Sequence, residues 1–219
     1  TTYNKDELES FAEIAIKNDL IVISDEIYDK IIYKDEKHIS FPQLGEDVKE
    51  RTILVNGVSK SYSMTGWRIG YAAGNSSVIS AMNNLSGQST SNPTSISQKA
   101  AIEAFSGPQE PIKEMLKEFK DRRDFITSAL NEINGVDCVL PEGAFYVFPD
   151  ISNFFGKEHN GKTITNSMEI SAYLLDVAKV AVVPGVEFGS DNHVRISYAT
   201  SMSDIQEGMK RIKESLSKL

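Results

Sequence analysis

The sequence has little cysteine and histidine, and this scarcity excludes two kinds of structural site. Cys138 is the one cysteine among 219 residues, so the chain cannot close an internal disulfide, and a reducing compartment such as the cytoplasm is expected. The three histidines, His38, His159 and His193, are scattered along the chain. Because this pattern lacks the ligand spacing of a zinc site, we expect no metal.

Long apolar runs and a surplus of basic residues are also missing. No run approaches the roughly 18 apolar residues of a membrane-spanning helix, and the sequence does not open on a basic segment followed by an apolar one. We therefore expect no membrane span and no signal peptide. The 31 acidic residues outnumber the 23 lysines and arginines, for a formal net charge of −8 at pH 7. Nucleic-acid binding depends on clustered positive charge and is not expected.

The sequence does not open on a methionine either. It begins Thr1-Thr2-Tyr3, and the pattern of an amphipathic helix follows almost at once. This start suggests a piece of a longer protein. The composition, with 40% hydrophobic and 25% charged residues, is that of a globular protein, and the length suits one large domain or two small ones.

The first half of the chain alternates predicted helices and strands, as in an α/β domain. A capping box of Asn4 and Glu7 begins an amphipathic helix over about residues 5–18. The continuous apolar run at 20–23 is typical of a strand buried on both faces. Further strands are predicted at 52–58 and 69–74, helices at 76–85 (capped by Ser76) and 95–105, and an irregular connection over 29–51.

The second half begins with a long predicted helix over about residues 111–133, where apolar residues recur at helical spacing. Asn134-Gly135 then marks a turn. Beyond it the predictions are strands at 136–140, 144–148, 180–183 and 193–198, a helix at 168–179, and a final helix capped by Ser203 and Gln206. We therefore expect three parts: an α/β domain (1–107), a connecting helix (108–133) and a small α+β domain (134–219).

Three polar residues follow the first two predicted strands where each strand ends. Asp25 and Tyr28 come after the run at 20–23, and Lys60 comes after the strand at 52–58. If these strands are parallel, all three residues emerge at the sheet edge where open α/β sheets bind ligands. Each residue alone has a plainer interpretation: Asp25 as a helix cap, Tyr28 as a packing residue, Lys60 as part of a solvated basic loop.

An ordered set of short motifs runs along the chain. They are D-E-I-Y (25–28), S-K (59–60), M-T-G-W-R-I-G-Y (64–71), Q-S-T (88–90), P-E-G-A-F-Y (141–146), P-G-V-E-F-G (184–189) and V-R-I-S (194–197). Together they resemble the motifs of class I pyridoxal phosphate (PLP)-dependent aminotransferases, and of the bacterial aspartate aminotransferase branch in particular. The resemblance covers essentially the whole chain and corresponds to the C-terminal half of that family's length.

The resemblance implies a fold and a set of cofactor contacts. The fold would be the C-terminal part of the PLP-binding large domain, with a partial and mostly parallel sheet, followed by a small α+β domain. Lys60 would form a Schiff base with the cofactor and shuttle the proton. Asp25 would pair with the pyridine nitrogen and keep it protonated. Tyr28 would hydrogen-bond the ring oxygen.

The resemblance also assigns the anion-binding residues and the reaction. Ser59 and Arg68 would hold the cofactor phosphate, and Arg195 would bind the substrate α-carboxylate through its planar fork. The reaction would be ping-pong transamination between an amino acid, aspartate in this branch, and 2-oxoglutarate, by a cytoplasmic homodimer. Glu26, Glu142 and Glu187 are interpreted as structural or solvated.

Two other interpretations stay open. The same residues serve a PLP-dependent lyase of this fold, and the chain could also be a non-catalytic module that keeps the motifs by descent. The family's cofactor-contacting asparagine, its phosphate loop and its ring-stacking aromatic belong to the half that the resemblance does not cover. We therefore expect this chain alone to be weak or inactive.

Overall fold

The computed structural model describes residues 2–34 and 37–219. The chain divides into two compact units, Thr1–Leu116 and Lys117–Leu219. The boundary between these units falls inside the long helix α5 (Glu110–Asn131). The sequence-based division into three parts, with boundaries after residues 107 and 133, stays a prediction.

A three-stranded sheet of order β1-β2-β3 organises the first unit. β1 (Val22–Asp25) and β2 (Thr52–Gly57) run parallel, whereas β3 (Gly70–Ala73) is antiparallel to β2. The sheet of this unit is thus mixed rather than mostly parallel. The α-helices of this unit are α1 (Lys5–Lys17), α2 (Glu46–Glu50), α3 (Ser76–Ser89), α4 (Ser95–Ser106) and the start of α5.

The prediction that the first strand is buried on both faces is wrong for this chain. Ile21 and Ile23 expose 68% and 70% of their surface. β1 is an edge strand in the described part of the chain, and Val22 packs against a core cluster on one side only. That cluster consists of Ala12, Phe41 and Val48, with Leu8, Val22 and Leu44 against it. An apolar run predicts a strand, but it does not determine how many neighbours cover that strand.

Local capping decides where the helices of the first unit begin. The predicted capping box of α1 is confirmed, since Asn4 Oδ1 accepts from the Glu7 N–H at 2.9 Å and Glu7 Oε2 accepts from the Asn4 N–H at 2.8 Å. Helix α3 is capped by Asn75 rather than Ser76. The segment predicted to be irregular contains α2 and a 3₁₀ turn at Phe41–Leu44, which a second capping box begins at Ser40.

The second unit packs α5 and two further helices around a small antiparallel sheet of order β4-β8-β7. Its strands are β4 (Tyr146–Val147), β7 (Val183–Pro184) and β8 (Val194–Ser197), beside the separate hairpin of β5 (Glu158–His159) and β6 (Lys162–Thr163). The helices are α6 (Ser167–Tyr173), which continues as a π-helical turn to Ala178, and α7 (Met202–Leu216). An α/β unit followed by an α+β unit confirms the predicted fold class.

Two sequence-based predictions in the second unit are wrong. The strand expected at 136–140 is reduced to a single bridge at Asp137. The reason is that the side-chain amide of Asn131 hydrogen-bonds both the N–H and the carbonyl of Cys138. Helix α7 is capped by Ser201, whose hydroxyl accepts from the Asp204 N–H at 3.1 Å, and not by Ser203. Both differences come from side chains that bind the backbone locally.

Two kinds of feature are absent from the described residues. Within 2–34 and 37–219, no helix is long and apolar enough to cross a membrane. The same residues contain no group of three or more His, Cys, Asp or Glu side chains that could hold a metal ion.

Cys138 is buried, and this burial raises the pKa of its thiol to about 11.

Candidate active site

The loop that carries Lys60 begins directly after β2 and closes tightly on itself. The Tyr62 N–H donates to the Val58 carbonyl at 3.3 Å, and the Ser63 N–H donates to the Lys60 carbonyl at 3.2 Å. Lys60 and Ser59 are half-buried in this turn. The backbone hydrogen bonds hold Lys60 at the carboxyl end of β2, which is the position that the sequence predicted.

The segment Asp25–Tyr28 begins at the carboxyl end of the neighbouring parallel strand. Asp25 is the last residue of β1 and lies opposite Val55, and the Glu26 N–H continues the ladder to the Val55 carbonyl at 2.9 Å. The chain then turns, with the Ile31 N–H donating to the Tyr28 carbonyl at 2.8 Å. The parallel pairing on which the predicted site depends is therefore confirmed.

A side-chain hydrogen bond joins the two loops. The Ser61 hydroxyl, on a residue only 1% exposed, donates to Asp29 Oδ1 at 3.0 Å. The side chain of Ile27 also packs closely on the end of β2, because a Cβ added at Gly57 would lie 3.2 Å from Ile27 Cδ1. The residues next to Lys60 and to Tyr28 are thus brought together, although 32 positions separate Asp29 from Ser61.

We expect Ser61→Ala to destabilise the first unit, because it leaves the half-buried Asp29 carboxylate without this donor. A hydrogen bond to a charged group is worth about 1.5–3 kcal/mol, so the free energy of unfolding should fall by that amount in urea titrations. Ser63→Ala is the matched control, since the exposed Ser63 hydroxyl contacts only the sulfur of Met115. Equal stability of the two variants would contradict the bridging role of Ser61.

The charge of Asp29 also acts on two tyrosines of the same unit. Burial, and then the negative charge of Asp29, raise the pKa of Tyr62 and of Tyr71. The Tyr62 hydroxyl donates to Gln109 Oε1 at 3.2 Å, and both rings contact Phe105 edge-on. Both tyrosines therefore stay neutral and act as hydrogen-bonding and packing groups beside the Lys60 loop.

The carboxylate of Asp25 is exposed and carries no ion pair within the described residues. Its Oδ1 accepts one local hydrogen bond, from the Ile27 N–H at 3.2 Å. Asp25 and Tyr28 both line an open depression of about 1160 Å³, and Lys60 is not part of its lining. A carboxylate at the end of a parallel strand, with one oxygen unused, can bind a cationic group.

Arg68 follows the single 3₁₀ turn Thr65–Trp67 and adopts a left-handed backbone with φ 54° and ψ 49°. Its Nη1 donates to the Thr65 carbonyl at 2.8 Å, and the side chain is otherwise exposed. The Ser59 hydroxyl has no hydrogen-bond partner among the described residues. Both side chains therefore retain unused donors that can hold an anion.

Glu26 is buried and organises the segment that follows, in agreement with its interpretation as a structural residue. Its Oε1 accepts from the Ser24 hydroxyl at 2.9 Å, the Ser40 hydroxyl at 3.0 Å and the Phe41 N–H at 3.0 Å. His38 Nε2 lies 2.7 Å from Oε2. Burial alone would raise the pKa of Glu26, but these hydrogen bonds together lower it. Sequence reasoning missed this network; the Ser40–Gln43 capping pattern is the signal that indicates an ordered segment there.

Arg195 lies in β8 of the second unit and contacts two aromatic rings. Its Cζ is 4.4 Å from the ring centroid of Tyr146 and 4.3 Å from that of Phe188. Among the residues that the structure describes, none forms an ion pair or a hydrogen bond with the Arg195 guanidinium. A half-buried guanidinium with unused donors is suited to bind a carboxylate.

A family model described as aminotransferase class I and II matches residues 1–212 of the chain. The chain belongs to the class I and II aminotransferases. Among relatives in this family, the aspartate aminotransferase of Bacillus sp. (strain YM-2) is 50% identical over 211 residues. That alignment spans 96% of this chain and 53% of the Bacillus protein.

Solved aminotransferase structures share the fold. The aspartate aminotransferase from Rhizobium meliloti superposes with a TM-score of 0.95 at 42% identity, over 99% of this chain and 55% of that one. The aromatic aminotransferase from Pyrococcus horikoshii OT3 superposes with a TM-score of 0.90 at 39% identity, over 99% of this chain and 56% of that one. The chain thus spans about half the length of the aminotransferases that it matches.

Proposed function

We propose that the whole protein is a PLP-dependent aminotransferase that moves the amino group of aspartate to 2-oxoglutarate. The observation that carries this proposal is the pairing of β1 with β2. Because the strands are parallel and in register, the Asp25 segment and the Lys60 loop begin at the same edge of one sheet. Membership of the aminotransferase family makes PLP the cofactor to test at this edge.

The charges and hydrogen-bonding groups of four side chains in the first unit fit PLP. The unpaired Asp25 carboxylate suits a protonated pyridine nitrogen, and the charge of the carboxylate keeps that nitrogen protonated. Ser59 and Arg68 suit the phosphate, because a hydroxyl and a guanidinium can donate several charge-assisted hydrogen bonds to it. Tyr28 would donate to the ring oxygen.

We propose that the Lys60 amine attaches the cofactor and transfers the proton. When bound, PLP supplies an electron-withdrawing ring that stabilises negative charge at the substrate α-carbon. The Lys60 amine would accept the proton that leaves the α-carbon and deliver it on the cofactor side. Arg195 would bind the substrate α-carboxylate. Two half-reactions of this kind give ping-pong kinetics, so parallel double-reciprocal plots are expected for the whole protein.

Reduction with borohydride tests the cofactor site directly. Borohydride converts the carbon–nitrogen double bond between a lysine and an aldehyde into a stable single bond, and peptide mapping then identifies the lysine. We expect PLP to label Lys60 in the whole protein. In this chain alone we expect weak labelling or none, and weak activity or none, because the chain spans about half the length of its relatives. Labelling of another lysine in the whole protein would overturn the site.

The products of the reaction test its class. With aspartate and 2-oxoglutarate, an aminotransferase forms glutamate and a new 2-oxo acid, whereas a lyase releases ammonia and an eliminated fragment. We expect glutamate. A whole protein that does not bind PLP would instead favour a non-catalytic module.

We further propose that the whole protein is a cytoplasmic homodimer. The lone Cys138, which is buried and unpaired, supports a reducing compartment. The homodimer is proposed from the resemblance to the aspartate aminotransferase branch. Sedimentation equilibrium of the whole protein would measure the mass of the assembly directly, and a monomer would contradict the proposal.

A further inference from the structure

We propose that Tyr146 and Phe188 are positioning residues that hold the Arg195 guanidinium in place for a carboxylate. This inference rests on the proposed role of Arg195 as the substrate-carboxylate ligand. Arg195 Cζ lies over both rings, at 4.4 Å from the Tyr146 centroid and 4.3 Å from the Phe188 centroid. A guanidinium within about 6 Å of an aromatic face is attracted by the ring electrons.

The two rings reach Arg195 from elements on either side of its strand. β4, which carries Tyr146, and β7 flank β8 in the sheet. Tyr146 pairs with Ser197, two residues after Arg195 in β8. Phe188 ends the 3₁₀ turn Gly185–Phe188, which directly follows β7. The side chain of Arg195 is therefore restrained from two directions.

Phe188 is itself held by a further aromatic contact. Phe148 meets the Phe188 ring edge-on at 6.0 Å, and it stacks on His193 at 4.7 Å with an interplanar angle of 11°. His193 Nδ1 lies 2.8 Å from the Ser190 hydroxyl oxygen. Phe188 exposes 45% of its surface, and Phe148 supports the ring from one side while it stacks on His193 itself.

Ring contacts restrain the guanidinium without using its hydrogen bonds. An arginine held by a carboxylate would have part of its planar fork occupied, and its charge would be neutralised. Within the described residues Arg195 has no such partner, so its N–H groups stay available to form two parallel hydrogen bonds with an incoming carboxylate. Less rotamer freedom is then lost on binding, because the side chain is already ordered.

The order of the Arg195 side chain in solution tests the first part of the proposal. In the 219-residue chain we expect the Nε–Hε order parameter of Arg195 to approach the value of about 0.85 that rigid backbone groups show. The comparison is Arg211, a surface residue held by a single helical ion pair to Glu207. An Arg195 value under about 0.6, typical of flexible groups, would overturn the proposal. The order parameters of Arg195 and Arg211 do not depend on Lys60 or PLP. They can therefore be interpreted even if the chain does not bind the cofactor.

Titration with acetate tests the second part, with the Arg195 Nε–Hε resonance as the reporter. We expect Tyr146→Leu and Phe188→Leu each to raise the Kd for acetate about twofold to tenfold, because the released arginine side chain must then be ordered on binding. Tyr146→Phe keeps the aromatic face and should restore both the order and the affinity. Leucine variants with wild-type affinity, or a wild-type chain in which acetate leaves Arg195 unaffected, would overturn the proposal. If the leucine variants unfold, the proposal is still tested by the Arg195 order parameter of the wild type and by the acetate affinity of Tyr146→Phe.

Discussion

Lys60→Ala is expected to abolish the covalent attachment of PLP in the whole protein and to lower turnover by at least the factor of about 10²–10⁴ that one acid–base group supplies. Lys60 lies in a tight turn at the end of β2, where two backbone hydrogen bonds fix its place. Another lysine could take the place of Lys60 only if the backbone of this turn were rearranged. Steady-state turnover with aspartate and 2-oxoglutarate, together with borohydride labelling, measures both effects.

Two further variants separate the chemistry of Lys60 from its charge. Lys60→Arg keeps the positive charge, but a guanidinium stays protonated and does not attack an aldehyde, so its turnover should be as low as that of Lys60→Ala. Lys49→Ala removes an exposed lysine that pairs with Glu46 on α2 and should leave turnover unchanged. Turnover of Lys60→Ala within tenfold of the wild type would exclude Lys60 as the proton carrier.

Glu26→Ala is expected to cause the largest loss of stability in the first unit. The variant leaves the Ser24 and Ser40 hydroxyls and the Phe41 N–H without their shared acceptor, at distances of 2.9–3.0 Å. Breaking a buried charged network by removing one partner costs about 3–5 kcal/mol. Urea titrations should therefore show this loss in the free energy of unfolding, while Glu13→Ala, at an exposed position of α1, should change it by less than about 0.5 kcal/mol.

The pH dependence of stability gives an independent test of Glu26. Its pKa is lowered in the folded protein from the ordinary value of 4.5. The carboxylate therefore contributes stability that is fully present above pH 4.5 and is lost as the pH falls through the lower, folded pKa. Glu26→Gln should flatten the stability profile in that acidic range. A variant whose acid unfolding matches the wild type would show that Glu26 does not carry this effect.

The sequence was most informative where a single local signal decides the structure. The Asn4–Glu7 capping box identified the start of α1, and apolar runs located β1 and β2. Their parallel pairing followed from the α/β pattern and is confirmed. Predictions failed where a side chain competes for the backbone. The Asn131 amide binds Cys138 and removes the strand expected at 136–140, and no periodicity in the sequence reveals that contact.

The sequence offered candidates for the residues of the site, but it did not indicate the contacts that support them. The ordered motifs named Asp25, Lys60 and Arg68 because they occupy fixed places in a family pattern. The bond from Ser61 to Asp29 depends on how two loops meet, and the position of Phe188 beside Arg195 depends on the pairing of β7 with β8. Such contacts join residues distant in sequence, and no local pattern of residues indicates them.

The exposed edge of β1 has a consequence for how this chain behaves when it is concentrated. Within residues 2–34 and 37–219, no strand pairs with the outer side of β1, next to Ile21 and Ile23, which expose 68% and 70% of their surface. An exposed apolar edge is a template on which a second strand can add by backbone hydrogen bonding. The net charge of −8 opposes that association through repulsion between like chains. High salt screens this repulsion, so we expect association through the edge of β1 to increase with ionic strength.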